Sequence, residues 1–124
     1  MTKTNRTNYY DLEDRTLKFA KRVREFIKKI SKTISNIQDA KQLNNASGSV
    51  GANYIEANEA ISKKDFVHRI KICRKEAKES RYWLILIDIN NLDDLNEEKN
   101  YLINEVTELM KIFGAILEKC KEKK

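Results

Sequence analysis

The sequence predicts an all-α fold, an antiparallel up-and-down four-helix bundle, and three observations carry that expectation. The 124 residues contain no proline and only 3 glycines. Tight turns recruit those two residues for their special backbone angles, so a sheet protein of this length would hold more of them. Charged residues make up 35% and hydrophobic residues 40% of the chain. The hydrophobic ones recur every three or four positions, the spacing of one helix face. That apolar share is too high for a disordered tail and suffices for one helical core. A single domain over residues 12–121 is expected, behind a flexible lead at 1–11.

The first helix is expected over 12–34, with Asp11 or Asp14 as candidate caps. Phe19, Ala20, Val23, Phe26, Ile27, Ile30 and Ile34 form its apolar face. Its other face is crowded with Lys18, Lys21, Arg22, Arg24, Lys28, Lys29 and Lys32 against the single acid Glu25. A run of this kind is either a solvated face or a phosphate-binding stripe.

The second helix is expected over 37–61, starting among several capping residues between Ser35 and Asp39 and burying Ala40, Leu43, Ala46 or Ser47, Val50, Tyr54, Ala57 and Ile61. Two glycines inside it, Gly48 and Gly51, cost about 2 kcal/mol relative to alanine. The run of small residues at 46–52 therefore predicts close approach by a neighbouring helix. It is not a P-loop, which continues into Lys-Ser or Lys-Thr where this chain has Ala52-Asn53. Nor does it have the strand context of an RNA-clamping GxxG turn. Asn53, Glu56 and Glu59 share a polar side, as a buried network or an exposed face.

A capping box, Ser62 with Asp65, opens the third helix, expected over 63–90. Phe66, Ile70, Cys73, Ala77, Ser80, Leu84 and Ile87 make a heptad seam. The stretch Tyr82–Ile89 is apolar nearly all round, which requires cover on more than one side. The fourth helix is expected over 95–121, started by Asp94 or Asn96, with Leu102, Val106, Leu109, Phe113, Ile116 and Cys120 on one seam. Ile103, Met110 and Leu117 form a second row beside it, and Gly114 is a further expected close contact. Tyr82, Trp83, Ile85, Leu86, Ile89, Ile103 and Met110 are thus the candidate oligomer interface.

The net charge of +6 is unevenly placed. Residues 1–81 hold 19 basic and 10 acidic side chains, a balance of +9; residues 82–124 hold 6 and 9, a balance of −3. Such asymmetry suits attraction to nucleic acid, or pairing of one segment against the other in an assembly. The candidate nucleic-acid residues are Lys21, Arg22, Arg24, Lys28, Lys29, Arg69, Arg74, Lys75 and Lys78, on helices 1 and 3, which can lie side by side in a bundle. The alternative is a protein-interaction scaffold in which that face meets the acidic region near Asp88–Glu108 of a neighbour.

No catalytic constellation stands out, and no metal, cofactor or small-molecule substrate is expected. The one histidine, His68, has Asp65 rather than glutamate three residues before it, so the paired Glu-x-x-His of carboxylate-bridged metal sites is missing. Cys73 and Cys120 sit at apolar helical positions with no CxxC pair, which reads as buried thiols in the cytoplasm. The longest mainly apolar run, Tyr82–Ile87, is far below the roughly 20 residues of a membrane span.

Several blocks in the middle of the chain resemble the four helix bundle protein family, also called the 23S ribosomal RNA intervening-sequence protein family. They are Gln42-Leu43, Ser47-Gly-Ser-Val-Gly-Ala-Asn-Tyr54, Glu56-Ala57, Ser62-Lys-Lys-Asp-Phe66 and Lys75-Glu76-Ala77 through Tyr82-Trp-Leu84. The resemblance spans roughly 12–120. It implies a bacterial protein forming an antiparallel four-helix bundle that assembles as a homopentamer, without catalytic residues to carry across. It also implies a distant similarity to the accessory variability protein of diversity-generating retroelements, which works with a reverse transcriptase and RNA.

Overall fold

The computed structural model describes the backbone of residues 3–121 and the side chains of residues 12–121. Its helices are α1 (Lys3–Lys29), α2 (Ile34–Asn58), α3 (Lys63–Leu86) and α4 (Asp93–Lys121). No strand occurs among the described residues. Short connections make successive helices antiparallel neighbours, and the ring closes where α4 returns to α1. No Cα of α1 comes within 8 Å of one in α3. Helices 1 and 3 are therefore diagonal, which corrects the side-by-side reading.

The helix ends shift for identifiable reasons. Helix α1 starts before residue 12, so Asp11 and Asp14 lie inside it rather than capping it. The flexible lead expected over 1–11 falls on residues whose side chains lie outside the described set. Helix α1 stops at Lys29, and Thr33 caps α2 by accepting a hydrogen bond from Asn36 N at 3.1 Å. Ile34, expected in the core of helix 1, is the first residue of α2 and 79% exposed. At the other end α2 stops at Asn58, leaving Ile61 in the loop and 95% exposed.

Ser62 caps α3 as expected, its hydroxyl accepting from Asp65 N at 3.0 Å. Helix α3 ends at Leu86, not near 90, because Lys99 of α4 takes over its last carbonyls. Lys99 Nζ donates to Ile85 O at 3.1 Å and Ile87 O at 2.7 Å. That places a positive charge at the negative end of the helix, although burial lowers the Lys99 pKa. Asn90 (φ 56°) and Asn91 (φ 60°) then adopt left-handed backbone, which asparagine tolerates better than most residues. Asp93 and Asp94 lie in the first turn of α4, favourably placed against its dipole.

The apolar seams meet in the centre. Ile70, Cys73, Ala77, Leu84 and Ile87 are fully buried against Val23, Phe26, Leu43, Val50, Leu102, Val106, Leu109 and Phe113. Tyr54 packs on Phe113 with ring centroids 6.2 Å apart. In α4 the buried position drifts to Leu117, while Ile116 and Cys120 are half-buried. A straight helix slips by about 20° per heptad, enough to change which residue faces inward after three turns.

The glycines divide into two kinds. A Cβ on Gly51 would lie 2.9 Å from Thr16 Oγ1 and 3.2 Å from Thr16 Cβ. Thr16 cannot yield easily: it is buried, and its hydroxyl donates to Leu12 O at 2.8 Å. Gly51 is thus the close α1–α2 contact that the small-residue run predicts. Gly48 is less demanding, with only the Arg24 guanidinium 3.4 Å from its Cβ position. Gly114 corrects the expectation, since nothing within the chain lies within 4 Å of that position. Gly51→Ala is expected to destabilise the fold by about 1–3 kcal/mol through overpacking. Gly114→Ala is expected to stabilise it by about 0.5–1 kcal/mol through helix propensity. Thermal unfolding of both variants reads the opposite signs.

Candidate nucleic-acid interface

The diagonal placement of α1 and α3 divides the nine candidate cations into separate groups. Arg22 reaches across to α4 while its side chain stays about half exposed, at 47%. Its Nε and one terminal nitrogen donate to Glu98 at 2.7 and 3.0 Å, and its guanidinium lies 3.7 Å above the Tyr101 ring. The bond to Glu98 raises the Arg22 pKa against a smaller opposing effect of burial. Arg15 makes the same two-point contact with Glu105, at 2.7 and 3.1 Å. Lys29 lies on this side too, in a cleft with Glu25, Asp93, Asp94 and Glu98. Part of the basic excess of the first three helices is therefore neutralised across the α1–α4 face of one chain.

Arg69 turns towards α2, donating to Asn53 Oδ1 at 3.0 Å, while Asn53 Nδ2 donates to Ser49 O at 2.9 Å. Asn53 is thus an inter-helix tie, whereas Glu56 and Glu59 are exposed. Lys21, Arg24 and Lys28 line a depression on the α1–α2 face together with Lys18, Arg22, Ile27, Asn44 and the acid Glu25.

Arg74, Lys75 and Lys78 share a groove of about 640 Å³ on the α3–α4 face with Lys71 and Lys121. Val67, Leu117, Cys120 and the single acid Glu118 complete its lining. The spacing of Lys71, Arg74, Lys75 and Lys78 puts them on one helix face, a signal legible in the sequence. Lys121 joins them only through tertiary packing of the α4 end against the start of α3. Three acids temper the groove. Lys121 pairs with Glu118 at 3.3 Å, and Lys75 lies 3.8 Å from Glu76 and 4.0 Å from Glu79. Burial raises the Glu76 pKa, helped by repulsion from Glu79 and opposed by Lys75.

The apolar candidates also separate. Tyr82, Ile85 and Leu86 are about half exposed, at 58, 47 and 47%. Trp83 is half-buried and meets Tyr82 edge-on, with centroids 5.0 Å apart. Ile103 and Met110 are half-buried against the core. Ile89 is a correction: it lies beyond the end of α3 and packs within the chain's own core.

Among the described residues, no three His, Cys, Asp or Glu side chains group as metal ligands. His68 is exposed at the start of α3. No described helix is long and apolar enough to cross a membrane.

These features define an antiparallel helical bundle with paired charges on one face and basic depressions on two others. The chain belongs to the 23S rRNA-intervening sequence protein family, whose model matches residues 10–115. It is similar to a crystal structure of a protein with unknown function from the S23 ribosomal protein family of Bacteroides thetaiotaomicron. The two share 30% identity with a TM-score of 0.74, over 89% of this chain and 97% of that one. Among curated proteins, nothing matches this chain.

The two thiols differ in environment. Cys73 is fully buried, and burial pushes its pKa up to about 12, whereas Cys120 is half-buried at the groove. Alkylation of the folded protein at neutral pH is expected to modify Cys120 first and Cys73 only after denaturation. Peptide mass analysis of the labelled sites checks that order.

Proposed function

We propose that this protein is a non-enzymatic helical bundle that assembles with copies of itself and binds the phosphate backbone of RNA or DNA. The observation that carries the reading is the α3–α4 groove, where Lys71, Arg74, Lys75, Lys78 and Lys121 line the walls with one acid, Glu118, and Glu76 and Glu79 lie beside Lys75. Phosphate contacts need a dense positive surface rather than a base-reading motif. Recognition is accordingly led by charge and shape. Arg22, Lys29 and Arg69 hold other helices or face acids within the chain, so Arg74, Lys75 and Lys78 become the leading cations of the original nine.

Self-assembly rests on Tyr82, Ile85 and Leu86, adjacent exposed side chains at the end of α3. Large apolar groups clustered on a surface are typical of contact with another protein. The family resemblance favours a homopentamer.

A filter-binding titration with a short RNA duplex tests the first part. Affinity is expected to fall steeply with salt, and reversing Lys75 and Lys78 to glutamate is expected to reduce the log–log slope by about 2, near 0.9 per phosphate contact. No affinity at low salt, or a flat salt response, rejects the reading. Sedimentation tests the second part: Ile85→Glu with Leu86→Glu is expected to shift a micromolar sample from oligomer to monomer, whereas a native monomer at that concentration rejects self-assembly.

A further inference from the structure

We infer that each chain carries two separate backbone-binding tracks on opposite faces of the bundle, so that it holds two nucleic-acid segments at once. This rests on the nucleic-acid reading above and specifies the stoichiometry and geometry of binding. The first track is the α3–α4 groove with Arg74, Lys75 and Lys78. The second is the α1–α2 depression, where Lys21, Arg24 and Lys28 stand beside Lys18 and Asn44, with the Glu98-paired Arg22 and the single acid Glu25 also in its lining.

The ring of helices makes these faces opposite rather than adjoining. Helix α1 touches α2 and α4, and α3 touches the same two helices, with no backbone approach between α1 and α3. Neighbouring helices pack about 8–10 Å apart, and each is about 10–12 Å across with its side chains. The two tracks are thus separated by the full thickness of the bundle.

No continuous positive path joins the tracks around either intervening side. Across the α1–α4 side, Arg15 and Arg22 are held by Glu105 and Glu98, and Lys29 faces Asp93 and Asp94. Across the α2–α3 side, Arg69 is turned to Asn53, and Glu56 of α2 is exposed. A duplex stays stiff over about 150 base pairs, so a short one cannot wrap the bundle to reach both tracks. One segment therefore occupies one face and leaves the other open.

The second track is itself anchored at its edges. Lys28 pairs with Glu25 at 3.1 Å and Lys18 with Asp14 at 2.9 Å. The Arg24 guanidinium donates to Ala20 O at 3.2 Å and lies over Gly48 of α2. Exposed pairs of this kind are worth little and are screened by salt, so a phosphate oxygen competes with them readily. Gly48 also leaves room for Arg24 to lie across the helix junction, where a larger side chain would displace it.

The number of short RNA duplexes bound per chain at saturation tests the inference, because one track and two tracks per chain differ twofold in that count. Titration well above the dissociation constant is expected to reach two duplexes per chain for the native protein. Lys21→Glu with Lys28→Glu is expected to give one, and so is Lys75→Glu with Lys78→Glu. All four reversals together are expected to give none, with the circular dichroism of the native fold retained. Saturation of the native protein at one duplex per chain overturns the second track while leaving the proposed function standing. A count of two that survives reversal of Lys21 and Lys28 also overturns it. Absence of any binding rejects the proposed function, and this inference with it.

Discussion

The closed end of the bundle depends on one side chain, Asn36. It is 1% exposed, and its amide makes a two-point pairing with the peptide of Asp88, accepting from Asp88 N at 3.0 Å and donating to Asp88 O at 2.8 Å. The same Nδ2 donates to Ser31 O at 3.0 Å. One residue at the start of α2 thereby joins the α1–α2 loop to the loop that leads from α3 into α4. Asn90 adds a second strap between those loops by donating to Ser31 Oγ at 2.6 Å. Losing the Asn36 amide would strand polar groups of both loops, each at a cost of about 1–3 kcal/mol. Leucine would fit the volume and still leave those groups unsatisfied.

That clasp, together with the close passage of α1 over Gly51, reinforces the neighbour relations that the short connections set. With α2 held between α1 and α3, the two most basic helices occupy diagonal corners. The positive charge is then divided three ways. One share is spent on α4, through Arg15 with Glu105 and Arg22 with Glu98. Two further shares appear on the α1–α2 and α3–α4 faces. The acidic balance of the last third of the chain is thus partly an internal counter-charge.

Much of the fold was legible from periodicity. The α3 seam from Ile70 to Ile87 and the α4 seam from Leu102 to Phe113 are buried as their spacing demands, and Ser62 caps α3 as its hydroxyl suggests. Helix ends were less legible, because their causes act across the bundle. Lys99 satisfies the carbonyls of Ile85 and Ile87 from another helix, and no local pattern at residues 85–90 announces it. The candidate site was legible as a set of cations but not as a surface. Charge runs report which residues are basic, whereas neighbour relations decide which of them share a face. Arg22 and Arg69 look like Lys21 and Arg74 in sequence, and only their partners Glu98 and Asn53 distinguish them.

The central claim is that the fold sorts one basic excess into neutralised and available shares. Ultraviolet cross-linking of the intact protein to RNA, with the attached residues mapped by mass spectrometry, tests it most directly. Adducts are expected chiefly on peptides containing Lys71–Lys78 and Lys18–Lys28, and fewer at Tyr101, which is 45% exposed but has Arg22 over one ring face on the paired α1–α4 side. Adducts concentrated at Tyr101 and its α4 neighbours, with the two basic faces unmarked, would contradict it.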